Sequence, residues 1–150
     1  MKRELFLEDF AVGQVVESPQ RLRVEKDDII AFARKFDPQY FHLDEEAARH
    51  SIFGGLVASG WHTAAISMRL QVGSGLPIAG GMIGIGGEMS WPRPTLPGDV
   101  LRVETEIREV TPSRSRPDRG VVRVRSETRN QRDEVVQILD AKLFVPRRTS

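Results

Sequence analysis

Asp37 and His42 stand five residues apart in the run FDPQYFHLDEEAARH. That offset matches neither one face of a helix nor one face of a strand, so the two side chains converge only at a loop or a helix end. With ordinary pKa values near about 3.9 and 6.5, both accept protons at neutral pH. A pair holding one water molecule between them can take a proton from it and return one elsewhere. Singly, Asp37 reads as a turn residue and His42 as a hydrogen-bonded structural histidine. Their combination, in a chain with three histidines, is what points to chemistry.

Gly60 is the third candidate, at the start of the helical segment GWHTAAISMRLQV. In the first turn of a helix its N–H has no intrahelical acceptor, and the helix end carries roughly half a positive charge, a suitable seat for an oxyanion. A glycine that starts a helix or packs closely is the other reading. His50 reads as a surface or packing residue and His62 as a satisfied core histidine. His42 with Asp44 suggests a metal site only weakly, since no HExxH-like pair completes a ligand set. The glycines at Gly80, Gly81, Gly84, Gly86 and Gly87 lead into a strand and not a helix, so they offer no phosphate a helix end. The run RSRPDRG reads as a solvated hairpin loop, with contact to a phosphate-bearing ligand as the other possibility.

These residues need elements to hold them. The stretch Gln14 to Val24 is extended in character. Asp27 or Asp28 is expected to cap a helix through IIAFARKF, and Pro38 disfavours α geometry at Asp37, which ends that helix with a carboxylate at its exit. A short helix over Asp44 to Arg49 and a turn at Phe53 to Gly55 follow. Ser59 is a plausible N-cap for a helix from Gly60 to about Val72, apolar nearly all round and therefore expected to be buried on most sides. Four strands are expected, over roughly Met82 to Trp91, Val100 to Val110, Val121 to Arg129 and Glu134 to Pro146. In the second, Leu101, Val103, Thr105 and Ile107 share one face, while Arg102, Glu104, Glu106 and Arg108 share the other. A curved sheet folded around one buried helix is the architecture this predicts.

Composition sets the outer bounds. At 150 residues one core is the expectation. The 22 Lys plus Arg nearly cancel the 21 Asp plus Glu, which argues against a nucleic-acid or anionic-membrane partner. No segment approaches the ~20 apolar residues of a membrane span and no signal-like apolar run opens the chain, so a cytoplasmic address is expected. Absence of cysteine excludes disulfides and thiolate chemistry.

The segments FDPQYFHLDEEAA and FGGLVASGWHTAA, supported by WPRPTLPGD and NQRDEVV, resemble the MaoC-like dehydratases, the family of the (R)-specific enoyl-CoA hydratases, over nearly the whole chain. The resemblance implies an α+β hotdog domain over residues 1–150, with a curved antiparallel sheet wrapped around a long central helix. It implies reversible hydration of a trans-2-enoyl thioester of coenzyme A or acyl carrier protein, without cofactor or metal, by a homodimer or higher homo-oligomer whose sheets join edge to edge. It gives water activation to Asp37 and His42, and the thioester carbonyl to the Gly60 amide. Gln39, Phe53, Ser59 and Trp61 are the accompanying substrate-binding candidates, with Ile52, Leu56, Val57 and Met82 acceptable as pocket lining or as core. The sequence departs from the hydratase pattern DxNPxH, with Pro38 directly after the acid, Gln39 in place of Asn and Tyr40 in place of Pro. Thioester hydrolysis, and a non-catalytic acyl-thioester-binding or partner subunit, are the alternatives.

Overall fold

Alternation in the second half of the chain produces the largest element of the fold. The computed structural model describes residues 3–72 and 76–148. Six strands, β1 (Val15–Glu17), β2 (Leu22–Arg23), β3 (Ile83–Ser90), β4 (Val100–Pro112), β5 (Arg119–Arg129) and β6 (Val135–Pro146), form one antiparallel sheet in the order β1-β4-β5-β6-β3, with β2 also on β4. Along β4 the buried residues are Leu101, Val103, Thr105 and Ile107, as the alternation requires. Arg102 and Glu104 on the other face join a ladder of ion pairs with Glu17, Asp133 and Arg129. Register shifts at Gly84/Gly86, Ile107/Glu109 and Thr128/Arg129 supply the bulges that bend such a sheet.

Four helices lie on its dry side: α1 (Lys26–Phe36), α2 (Tyr40–Leu43), α3 (Glu45–Ala48) and α4 (Gly60–Leu70). The expected cap of α1 is corrected by the structure. Glu25 occupies the N-cap without a side-chain bond, and Asp27 and Asp28 fall inside the first turn, where negative charge still suits the helix dipole. Asp44 caps α3 with a carboxylate that accepts from the N–H groups of Glu46 and Ala47.

The expectation that α4 is apolar nearly all round and buried on most sides is corrected in part. Its buried face carries a polar ridge at four-residue spacing, Ser59, Thr63, Ser67 and Gln71, whereas Trp61, Ala65 and Met68 are exposed. The Ser67 hydroxyl lies 2.6 Å from that of Thr128, and the Gln71 amide donates to Thr105 at 3.2 Å and to Ser126 at 2.6 Å. This seam separates two apolar clusters. Leu101 and Val103 belong to one, with Ile29, Ile66 and Val136; Ile107 belongs to the other, with Val122, Val124 and Leu143. Each buried hydrogen bond of this kind adds about 1 kcal/mol net, and far more is lost if one partner is stranded. Among the described residues no helix is long and apolar enough to cross a membrane.

Candidate active site

The exit of α1 and the single turn of α2 bring the acid and the imidazole together. Asp37 is the C-cap of α1, out of helical geometry as the following Pro38 demands, and its N–H still donates to Ala33 O. The chain re-enters a helix at Tyr40, so His42 sits on α2 and not on a loop. His42 Nε2 lies 3.3 Å from Asp37 Oδ2, with both side chains largely buried.

The segment leading into α4 fixes the ring. Val57 N–H donates to Phe41 O, and Val57 O lies 2.6 Å from His42 Nδ1. A carbonyl only accepts, so the Nδ1 position carries a proton and Nε2 is the ring atom that faces Asp37. The separation from Asp37 exceeds the usual ~2.9–3.0 Å of an N–H···O bond, a spacing that lets both groups address a third molecule.

Ser59 links the acid to the helix start. Its hydroxyl oxygen accepts from Trp61 N–H at 3.2 Å as the N-cap of α4, leaving its proton for Asp37. Gln39 donates its side-chain amide to Asp37 Oδ1 at 2.5 Å. Burial raises the Asp37 pKa, but the Ser59 hydroxyl, the Gln39 amide and the charge of His42 together outweigh it and hold the carboxyl below its ordinary value. Asp37 is therefore a carboxylate throughout the neutral range.

Gly60 follows as the first residue of α4. It lines a cleft of about 380 Å³ together with His42, Phe41, Phe53, Val57 and Thr63, closed on another side by the segment Trp91–Thr95. The close-packing role of this glycine is visible as well, since a β-carbon here would lie 2.7 Å from the Trp91 ring. Helix N-terminal amide and imidazole thus line one partly apolar cleft, with the carboxylate 3.3 Å from the imidazole, an arrangement able to move a proton beside a carbonyl group that gains negative charge.

Of the sequence candidates, Asp37, His42, Gln39 and Ser59 form one connected group, and Gly60 and Phe53 share the cleft with His42. Trp61 turns instead toward a second cavity, where Met82 is also found. Ile52 is 97% exposed on a turn and Leu56 belongs to the core, so neither lines the cleft. The segment Trp91-Pro92-Arg93-Pro94-Thr95 was underweighted by sequence reasoning. Its two prolines, which fix φ and restrict the residue before each, were the available signal. His62 is buried and stacked on Phe32 with ring centroids 4.7 Å apart, away from the acid–imidazole pair.

The MaoC like domain model matches residues 9–130. YdeM, an uncharacterized Bacillus subtilis protein, is 38% identical over 142 residues, 93% of this chain and 96% of that one. A 3-hydroxybutyryl-CoA dehydratase of Methylorubrum extorquens is 30% identical over 115 residues, 76% of this chain and 71% of the enzyme. The crystal structure of a MaoC-like dehydratase from Rhodospirillum rubrum superposes with a TM-score of 0.94 at 64% identity, covering 97% of this chain and 99% of that one.

Proposed function

Because the chain belongs to the MaoC-like dehydratase family, we propose that it catalyses the reversible hydration of a trans-2-enoyl thioester, carried on coenzyme A or acyl carrier protein, to the 3-hydroxyacyl thioester. The observation that carries this reading is the meeting of His42 Nε2 and Asp37 Oδ2 at 3.3 Å at the entrance of α4, beside a cleft shared with Gly60. The M. extorquens relative, a 3-hydroxybutyryl-CoA dehydratase, supports the same bond change.

In the hydration direction Asp37 and His42 hold a water molecule between them and remove one of its protons as its oxygen bonds to C3. The C2–C3 double bond becomes an enolate whose charge grows on the thioester oxygen, facing the Gly60 N–H. The pair then returns the proton to C2, so one water is added and nothing is oxidised or reduced. Positioned acid–base groups of this kind contribute about 10²–10⁴-fold, and an oxyanion donor about 10²–10³ in kcat.

A second copy completes the proposal. Strand β3 pairs with β6 alone among the described strands, leaving an eight-residue edge with Ile83 and Ile85 exposed, next to the uncovered Trp61 and Met68 of α4. Pairing of β3 with its copy removes that edge and yields a homodimer.

The test is to incubate the protein with crotonyl-CoA and follow the conjugated absorbance and the product. Loss of conjugation with the thioester intact is expected. Release of free CoA would assign hydrolysis instead, and no change with any enoyl thioester would leave a binding or partner subunit. Asp37→Asn and His42→Ala are expected to keep the fold and lose at least about 10²-fold in activity; full activity in either refutes the roles given to them.

A further inference from the structure

The segment Trp91–Thr95, which closes one side of the cleft, is tied to the entrance of α4 at both its ends. At one end Thr63 donates its hydroxyl to that of Thr95 at 2.9 Å, and Thr95 O accepts from Ala58 N–H at 2.9 Å. At the other, the Trp91 indole packs on Gly60 so closely that ring carbons would stand 2.7 and 2.9 Å from a β-carbon there. Only a glycine lets the ring come this near the backbone that carries the Gly60 N–H.

Gln137 holds that ring. Trp91 Nε1–H donates to Gln137 Oε1 at 3.0 Å. An indole N–H only donates, so the amide must turn its oxygen toward it, and Gln137 is 2% exposed, out of reach of solvent. Gln137 stands on β6 opposite Thr128 of β5, whose hydroxyl meets that of Ser67 on α4 at 2.6 Å. One rung of the sheet therefore bears on α4 twice, directly at Ser67 and, through Trp91, at Gly60. A further tie of the segment, Arg93 with Glu134 at 3.1 Å, is a largely exposed ion pair and holds weakly.

We propose that Gln137, which does not line the cleft, is a positioning residue for the reaction: through the Trp91 ring it fixes the place of the Gly60 N–H that receives the enolate charge. This rests on the hydration reading above. The amide is needed most when charge grows on the thioester oxygen, so misplacing it weakens the transition state more than the bound substrate. A displacement of about 1 Å costs about 10²-fold, and about half of that costs about tenfold in kcat.

The experiment compares wild type with Gln137→Met, which keeps the length but lacks the acceptor, Trp91→Phe, which lacks the donor, and the double variant. Gln137→Asn, which withdraws the oxygen by one methylene, stands in if Gln137→Met does not fold. On crotonyl-CoA, kcat is expected to fall about tenfold in Gln137→Met while KM moves less than about twofold, and the same change made in Trp91→Phe should have almost no effect. An unchanged kcat, a loss confined to KM, or a full loss that persists in Trp91→Phe overturns the proposal. Proton–nitrogen NMR spectra read the same linkage without turnover. The chain's two tryptophans give two indole N–H signals, which Trp61→Phe assigns. In Gln137→Met the Trp91 indole signal and the Gly60 amide signal should move together, while that of Gly120, at the opposite end of β5 from Thr128, stays in place. An unmoved Gly60 signal overturns the proposal. If wild type hydrates no enoyl thioester the hydration reading fails, and the Gly60 signal still decides whether Gln137 governs that amide.

Discussion

Replacing Ser59 by alanine removes one oxygen that serves two partners, and the two losses can be measured apart. The hydroxyl is almost fully buried; it accepts from Trp61 N–H as the cap of α4, and its remaining proton serves to lower the Asp37 pKa. Loss of an N-cap oxygen costs about 1 kcal/mol, and a hydrogen bond to a charged group is worth about 1.5–3 kcal/mol. Gln39 still donates to Asp37 in the variant, so the lower end of the second range applies, and Ser59→Ala should lose about 2–3 kcal/mol in all. For a chain of this size that lowers Tm by roughly 4–12 °C. Glycine is only a few tenths of a kcal/mol worse than serine as a cap, so Ser59→Gly mainly isolates the bond to the carboxylate.

The sign of the pH dependence follows from the direction of the Asp37 shift. A carboxyl held below its ordinary value contributes stability that is present above the unfolded pKa and lost as pH falls through the folded one. Without the hydroxyl the Asp37 pKa moves up, toward the ordinary value. The stability gap between wild type and Ser59→Gly should therefore be widest at neutral pH and close as pH drops below about 3.9. Urea denaturation across pH gives the gap, and a carboxyl-carbon NMR titration gives the pKa. An unmoved Asp37 titration together with an unchanged urea midpoint would refute the placement of Ser59 between acid and helix.

Three further outcomes are expected. Burial holds the His62 pKa below its ordinary value against the pull of Asp28, with Arg23 and Glu25 lining the same hollow; the unfolded chain then takes up the proton first as pH falls from about 7.5 toward 5.5, and stability declines over that window. His62→Phe, which keeps the stack on Phe32, should flatten the decline, and an equal slope in urea midpoint would contradict it. Gly60→Ala should cost about 1–3 kcal/mol by overpacking against a Trp91 ring that Gln137 pins, with much of the loss recovered in Gly60→Ala/Trp91→Leu; a single mutant as stable as wild type would mean the ring yields. Ile83→Lys/Ile85→Lys should turn a dimer into a monomer in sedimentation velocity, and a dimer that survives both lysines would move the interface away from β3.

Local rules reached much of this structure. Pro38 was enough to end α1 at Asp37, and period-two alternation gave the buried face of β4 residue by residue. The orientation of α4 was out of their reach. Ser67 and Gln71 become inward residues because Thr128, Thr105 and Ser126 await them on other strands, and Thr63 because Thr95 does, whereas a helix read alone assigns its apolar side chains to the interior. The lone bond of Trp91 to Gln137, 46 positions away, is equally invisible in either segment. Asp37 and His42 were legible as a pair from type and spacing; the Val57 carbonyl that orients the ring is a backbone atom no side-chain pattern advertises.

The hydroxyls under α4 also determine how far the helix is pushed toward the cleft. Greasy surfaces tolerate a small slide along an axis, whereas two oxygens 2.6 Å apart do not. A ridge that recurs every four positions has its own hazard: displaced by one turn, roughly 5.4 Å, it would offer similar groups to the same strands. Gln71 breaks that ambiguity, because a single long amide reaching two oxygens at once has no counterpart one turn earlier. The depth at which the Gly60 amide faces the cleft is therefore keyed from the opposite end of the rod, about 16 Å away.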